Sequence, residues 1–383
     1  MRNTKLEKGI TLIALIITII ILLILAVVTI DSIQDNDIIT YAQKASTEYE
    51  QKKTEEEGIL SGYETFIEEN IGEGIKVEPI VHNGKIPEGG TYKRKLESGS
   101  EQVYNGGDSF PETVIEGDIY IYGDYEYSYN CLYAAGNEGD GWYRTEDMDD
   151  KTGVTEGWGV RVLDRTKSEY SPAITTINGK NVTGMFCTYT VCGSLKKAPN
   201  IPDTVTYMSY AFEGCTLLEN VLNMPKSLVV MNDVFRDCIS LKSVGKLSEN
   251  VVDMSYAFYG CTNLLEIANI PNSVTNMNSS FKGCKNLKNV PNIPNGVKEM
   301  NDTFYECESL INVKTIPASV KEMNSTFYRC KSLTGNIEIN ANPNRTSNCF
   351  SGTEKEIVLT GSTDNTKKQE LAATSTLGNV TWK

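Results

Sequence analysis

Histidine is almost absent: His82 stands alone among 383 residues. Imidazole catalysis and His-containing metal sites therefore rest on one residue, in an ordinary Val-His-Asn-Gly turn. Positive charge is also short, with 36 Lys and Arg against 50 Asp and Glu and a net charge of −14. That balance argues against the Lys/Arg patches nucleic acid needs, so no nucleic-acid partner is expected. No G-x-G-x-x-G, G-x-S-x-G or H-E-x-x-H motif occurs. The expected catalytic, cofactor and metal residues are none, and the chain is not expected to be an enzyme.

What is present is a beat. An interval of 23 residues leads from Cys192 to Cys215, Cys238, Cys261, Cys284, Cys307 and Cys330. Met185 to Met323, Phe212 to Phe350 and Leu195 to Leu333 keep the same step. A fixed period in this range marks stacked units in a solenoid, each stable only against its neighbours. One turn reads C-x-x-L-x-x-I-x-x-I-P-x-x-V-x-x-M-x-x-x-F-x-x from Cys261. Its apolar slots must face inward, and burying one such side chain is worth about 1.5–3 kcal/mol. The Pro after Ile belongs at a corner. Gly214, Gly260 and Gly283, just before the Cys, suit a tight bend.

The segments Met208–Phe212 and Met254–Phe258 (M-S-Y-A-F), the F-x-G-C-x-x-L run, and I-P-x-S-V at Ile270 and Ile316 carry a resemblance. The pattern resembles the leucine-rich repeats of BspA-like bacterial surface proteins, over residues 185–352. Two spacings depart from that family's commonest form, one residue longer before Ile-Pro and one shorter between Met and Phe. The resemblance implies adhesion to host matrix or other cells, through an extracellular protein or glycan ligand.

The cysteines do not read as a metal site, which needs clustered ligands. Nor do they read as a disulfide ladder. Equivalent side chains on adjacent turns sit about 4.8 Å apart and parallel, whereas a disulfide needs ~3.5–4.5 Å between converging Cβ atoms. Buried thiols acting as small hydrophobes are expected. Cys131, Cys187, Cys192 and Cys349 leave room for one bridge.

The N-terminus is a different kind of sequence. Residues 1–9 are short and basic, and residues 10–30 hold no charge. At 1.5 Å per residue that run is about 31 Å long, enough to cross a bilayer. Lys and Arg before it and Asp31, Asp35 and Asp37 after it put the N-terminus inside and the bulk of the chain outside. Lys8-Gly9-Ile10-Thr11-Leu12-Ile13-Ala14-Leu15 resembles a type IV prepilin leader. The resemblance implies a prepilin peptidase partner that cuts after Gly9 and methylates Ile10. Ala14 stands where pilins carry the glutamate associated with assembly, which favours processing over polymerisation. Residues 31–71 continue as a helical stalk, ended by Gly72 and Gly74.

Residues 77–184 read as β structure. Period-2 alternation on both sides of Gly123-Asp124 predicts a hairpin over 118–129, and 157–163 predicts another strand. Tyr-rich faces bind glycans or peptides, or pack as cross-strand pairs. The acidic stretches 137–141 and 146–150 have oxygen ligands of the kind calcium prefers, without EF-hand spacing. This β-rich region is expected to cap the solenoid's open N-terminal end. Residues 353–383, with strands near 356–359 and 379–382 and a short helix over 366–373, are expected to cap the other.

Two columns before each Met are candidates for a partner surface. They read Thr206-Tyr207, Val229-Val230, Val252-Asp253, Thr275-Asn276, Lys298-Glu299 and Lys321-Glu322, drifting from apolar to charged. Either the middle region covers Tyr207, Val229, Val230 and Val252 and leaves Lys298, Glu299, Lys321 and Glu322 open, or the apolar end is itself a docking patch. The fold class expected is mixed α/β: transmembrane and stalk helix, β-rich middle domain, C-terminal solenoid of 23-residue turns. The function expected is a single-pass, extracytoplasmic bacterial binding and adhesion protein. The alternative is a minor pilin or pseudopilin on a type IV-like filament.

Overall fold

One 23-residue turn closes on the next through its backbone. The computed structural model describes residues 78–134, 141–147 and 152–383. Gly9 and Ile10, the apolar run 10–30, the stalk 31–71 and the acidic positions 137–140 and 148–150 lie outside the described residues.

The amide N–H groups of Met185, Met208, Met231, Met254, Met277, Met300 and Met323 each donate to the carbonyl 22 residues on, at 2.8–3.2 Å. The aromatic column does the same, from Tyr189 to Ala211 and onward to Phe327 and Cys349. Such neighbouring-turn bonds demand that the chain reverse sharply between them. Two columns supply the reversal with left-handed residues. Tyr210, Asp233 and Tyr256 occupy one, and Gly214, Asp237 and Gly260 the other. The glycines flagged in the sequence therefore sit where φ is positive, at 69° for Gly214 and 72° for Gly260. Val191, Glu306 and Arg329 hold the same position without glycine's freedom.

Parallel bridges run Gly184–Tyr207–Val230–Asp253–Asn276–Glu299–Glu322–Arg345. Within the stack β11 (Asn220–Val221) pairs in parallel with β12 (Ser243–Val244), and at the far end β13 (Thr315–Ile316), β14 (Gly335–Ile339), β15 (Ile357–Thr360) and β16 (Val380–Trp382) pair in parallel, in that order. Residues 353–383 thus continue the winding, with α1 (Asn365–Ala373) in the last connection. The solenoid makes about ten turns, more than the seven that the Met series marks. Asp364 caps α1 by accepting from the Lys367 N–H at 2.9 Å. It is the one α-helix among the described residues, so the mixed α/β expectation becomes a β-rich fold there. The helices of that expectation fall in residues 10–71, outside the described residues, and the turns before α1 close through left-handed reversals and short bridges.

Inside the stack, side chains of equivalent turns superpose. Tyr189, Phe212, Phe235, Phe258, Phe281, Phe304, Phe327 and Phe350 form one file of stacked rings, with centroids 4.9–5.7 Å apart. Each offset pair adds about 0.5–1.5 kcal/mol beyond burial. The cysteines are buried and unbridged, and they do more than fill space. Cys215, Cys238, Cys261, Cys284, Cys307 and Cys330 each donate from Sγ to the aromatic residue's carbonyl one turn back, at 3.0–3.1 Å. Burial pushes the thiols up, well above their ordinary value for Cys215 through Cys284. Ser280, Thr303 and Thr326 donate likewise to the carbonyls of Met254, Met277 and Met300. On the surface, ion pairs join residues 23 apart: Asp203–Lys226, Glu219–Lys242, Glu306–Arg329 and Glu308–Lys331.

The middle region contributes β1 (Val81–His82), β2 (Thr91–Lys95), β3 (Glu101–Asn105), β4 (Ile119–Tyr122), β5 (Tyr125–Tyr129), β8 (Trp158–Val162), β9 (Thr176–Ile177) and β10 (Lys180–Gly184). They build an eight-stranded sheet in the order β1-β9-β10-β8-β5-β4-β2-β3. The expected hairpin is β4–β5, with Tyr120 opposite Tyr127. A separate hairpin, β6 (Cys131–Ala134) with β7 (Gly141–Arg144), packs on β8. Tyr92, Tyr120, Tyr125, Tyr127 and Trp158 are buried, so the Tyr-rich faces are core. Asp118, 1% exposed, accepts from Tyr92 and from Arg94. The Tyr125 and Tyr189 hydroxyls meet at 3.0 Å, joining this sheet to the head of the ring file. One hydrophobic core runs from Tyr92 and Trp158 to Leu359 and Val380.

Two outcomes follow. Val191→Gly removes a β-branched side chain from φ 60°, and it should stabilise the protein by about 1 kcal/mol in chemical denaturation. A thiol reagent should find the ten cysteines protected in the native protein and reactive after unfolding; rapid labelling of any solenoid cysteine in the native state contradicts the buried file.

Candidate interaction surface

The residue before each Met lies on the parallel bridge ladder, and the Met itself turns into the core. The expected partner residues therefore sit on adjacent rungs: Tyr207, Val230, Glu299 and Glu322 on the ladder, Lys298 and Lys321 beside it. Their surroundings differ sharply along the stack.

At the first rungs the face is covered. Tyr207 and Val230 are buried, in a cluster with Leu132 from β6 and with Val154, Phe186 and Val229 packed against it. The Phe186 ring meets Tyr207 at 5.8 Å. A Cβ at Gly153 would come within 2.9 Å of the Val230 side chain and 3.1 Å of Val229. Thr155 and Thr206 share a hydrogen bond at 3.2 Å. Tyr207 and Val230 thus offer no free surface to a partner, because the middle region's own apolar side chains occupy it.

Further along, the face opens. Lys298, Glu299 and Lys321 are exposed and Glu322 is half-buried. Their geometry is set by an asparagine file that the sequence reading did not identify. The Asn278 and Asn301 amides donate to Glu299 and Glu322 respectively, each at 2.6 Å. The side-chain oxygens of Asn278, Asn301 and Asn324 accept from the backbone N–H of Asn301, Asn324 and Ser347, at 2.9–3.1 Å. Arg345 approaches Glu322 at 3.6 Å. The signal was present as Asn at 23-residue spacing directly after Met277, Met300 and Met323. Carboxylates held in this way keep their rotamers, which lowers the ordering cost of a contact.

His82 is spoken for. Its Nδ1 lies 2.9 Å from the Tyr120 hydroxyl, and its ring packs edge-on against Tyr120 and Tyr122. Burial holds its pKa below the ordinary value, as suits a neutral packed ring. Among the described residues no group of three or more His, Cys, Asp or Glu side chains is placed to hold a metal. Glu146 pairs with Arg144 at 2.5 Å.

Stacked turns of this kind, with parallel rungs and inward Leu, Ile and Phe files, define a leucine-rich-repeat solenoid. Residues 184–302 and 254–375 match the BspA type leucine rich repeat region, in six copies. The two stretches together span half of the chain, and the protein belongs to this family. Two solved structures are similar in fold. The T. pallidum leucine rich repeat protein TpLRR is 22% identical, with a TM-score of 0.34, covering 47% of this chain and 88% of that one. A leucine-rich repeat protein from Bacteroides ovatus is 23% identical, with a TM-score of 0.31, covering 60% and 70%. No curated protein matches the chain.

The covered end has a mutational signature. Val230→Glu buries an unpaired carboxylate beside Leu132 and Val154 and should destabilise the fold by about 3–5 kcal/mol. Thermal unfolding checks this, and an unchanged melting temperature would show that the first rungs are open.

Proposed function

We propose that the protein is an extracytoplasmic binding protein, held in the bacterial cell membrane by residues 10–30, whose solenoid presents a partner surface. The observation that carries this reading is the contrast along one ladder: covered at Tyr207 and Val230, open from Lys298 to Glu322. The asparagines that bridge successive turns through the backbone also hold Glu299 and Glu322 in place on this face. Lys298 and Lys321 stand exposed on successive rungs beside those carboxylates. Such alternation of fixed charges confers specificity on a protein or glycan partner. The role is adhesive: a single-pass chain with its N-terminus inside and its solenoid outside. The prepilin-like segment at Lys8–Leu15 supports cleavage after Gly9, and Ala14 favours a processed anchor over a filament subunit.

Two measurements test this. The N-terminal peptide of protein from its native envelope should begin at N-methylated Ile10; retention of residues 1–9 removes the processing step. Lys298→Glu combined with Lys321→Glu should lower adhesion of cells displaying the full chain by about tenfold, with thermal unfolding unchanged. Undiminished adhesion would move the partner surface off this ladder.

A further inference from the structure

From Met208 onward the position five residues after the Met of each turn faces partly outward, and in the later turns it carries large rings. Tyr259, Lys282, Tyr305 and Tyr328 fill it in four successive turns, all half-buried. Tyr256, three residues before Tyr259, is 38% exposed. Arg236 lies 4.9 Å over the Tyr259 ring and 5.9 Å from that of Tyr256. Lys282 lies 4.2 Å over Tyr305, Tyr305 stacks on Tyr328 at 4.5 Å, and Arg329 covers Tyr328 at 5.2 Å. The stripe crosses five turns, or about 19 Å at a sheet-like rise per turn.

The core has no need of these rings, since the Phe file already fills it. Tyr and Arg are the residue types enriched where proteins dock. Charge narrows the partner. Asp237, Asp302 and Glu306 border the stripe and Asp233 is buried against Arg236; together the four outnumber its three cations, each of which they already engage. The stripe is therefore net negative, on a chain of net charge −14. Ring faces are taken by neighbouring cations and rings, which leaves no broad flat surface for a sugar to stack on. Ring edges and carboxylates remain.

We infer that this stripe docks an extended peptide segment bearing Lys or Arg. At about 3.3 Å per residue, some six residues span it. The aliphatic stems lie along the tyrosine edges, and the cations reach the carboxylates in charge-assisted hydrogen bonds. The inference rests on the reading of the solenoid as a binding module, but on a different face from Lys298 and Lys321.

The probe is hexa-arginine, titrated calorimetrically into the full chain in detergent micelles at about 0.15 M salt. Saturable binding is expected. It should weaken about tenfold in Tyr256→Ser with Tyr259→Ser, and similarly in Asp237→Asn with Glu306→Gln. It should be unchanged in Lys298→Gln with Lys321→Gln. If the double tyrosine variant melts early, Tyr256→Ser alone decides, because its ring is the most exposed of the set. Equal affinity in the tyrosine variants would mean attraction by net charge alone and would overturn the inference. So would binding of a neutral hexasaccharide in place of the peptide, or no binding at all. Loss of adhesion without loss of hexa-arginine binding, or the reverse, separates the two faces.

Discussion

The inter-turn amide ladder is the constraint from which everything else descends. Once the N–H of each Met must reach a carbonyl 22 residues on, every turn has to return to nearly the same place with the same phase. Equal turn length follows, as do the two left-handed positions that reverse the chain. The side-chain files follow as well. Rings 4.9–5.7 Å apart are what identical residues become when their backbones are hydrogen-bonded neighbours. A single inserted residue must therefore loop outward or break the ladder.

A dry core of that kind leaves carbonyls without water, and the solenoid meets this with short donors on fixed columns. The thiols serve the aromatic carbonyls, and Ser280, Thr303 and Thr326 serve those of the Met residues. Each of those carbonyls also accepts from the backbone N–H three residues on, at 3.0–3.3 Å. The column therefore supplies a second donor, and a typical hydrogen bond of this kind contributes about 0.5–1.5 kcal/mol. It also explains why so many cysteines coexist without bridging: each sulfur has a partner, and successive thiols point alike. Outside, the asparagine file extends the same economy to the surface and fixes the carboxylates of the candidate face.

Much of this was legible in the residues. Periodicity identified the solenoid and its inward files, because packing between identical turns writes itself as identical spacing. The β4–β5 hairpin, the strand at Trp158, the helix near 366–373 and the last two strands were also readable from alternation and turn residues. Other features were not. Val191, Glu306 and Arg329 adopt left-handed backbone without glycine, so only part of that column announces itself. Tyr189 heads the ring file although the Phe series begins at Phe212. The thiols' hydrogen bonds span 26 residues, a distance that depends on how one turn lies over another. The two halves of the ladder face differ because Leu132 and Val154 arrive from elsewhere in the chain, which no local pattern encodes.

The surface ion pairs between residues 23 apart distinguish turns that the core treats alike. The core files are nearly interchangeable from turn to turn, so duplicating or deleting one whole turn preserves the interior. The pairs Asp203–Lys226, Glu219–Lys242, Glu306–Arg329 and Glu308–Lys331 do not share that indifference, since each matches one turn to its particular successor. They act as addresses on otherwise equivalent parts. A turn moved or copied elsewhere in the array would keep its interior contacts and lose its matched surface partner, at a cost of about 0–1 kcal/mol per exposed pair.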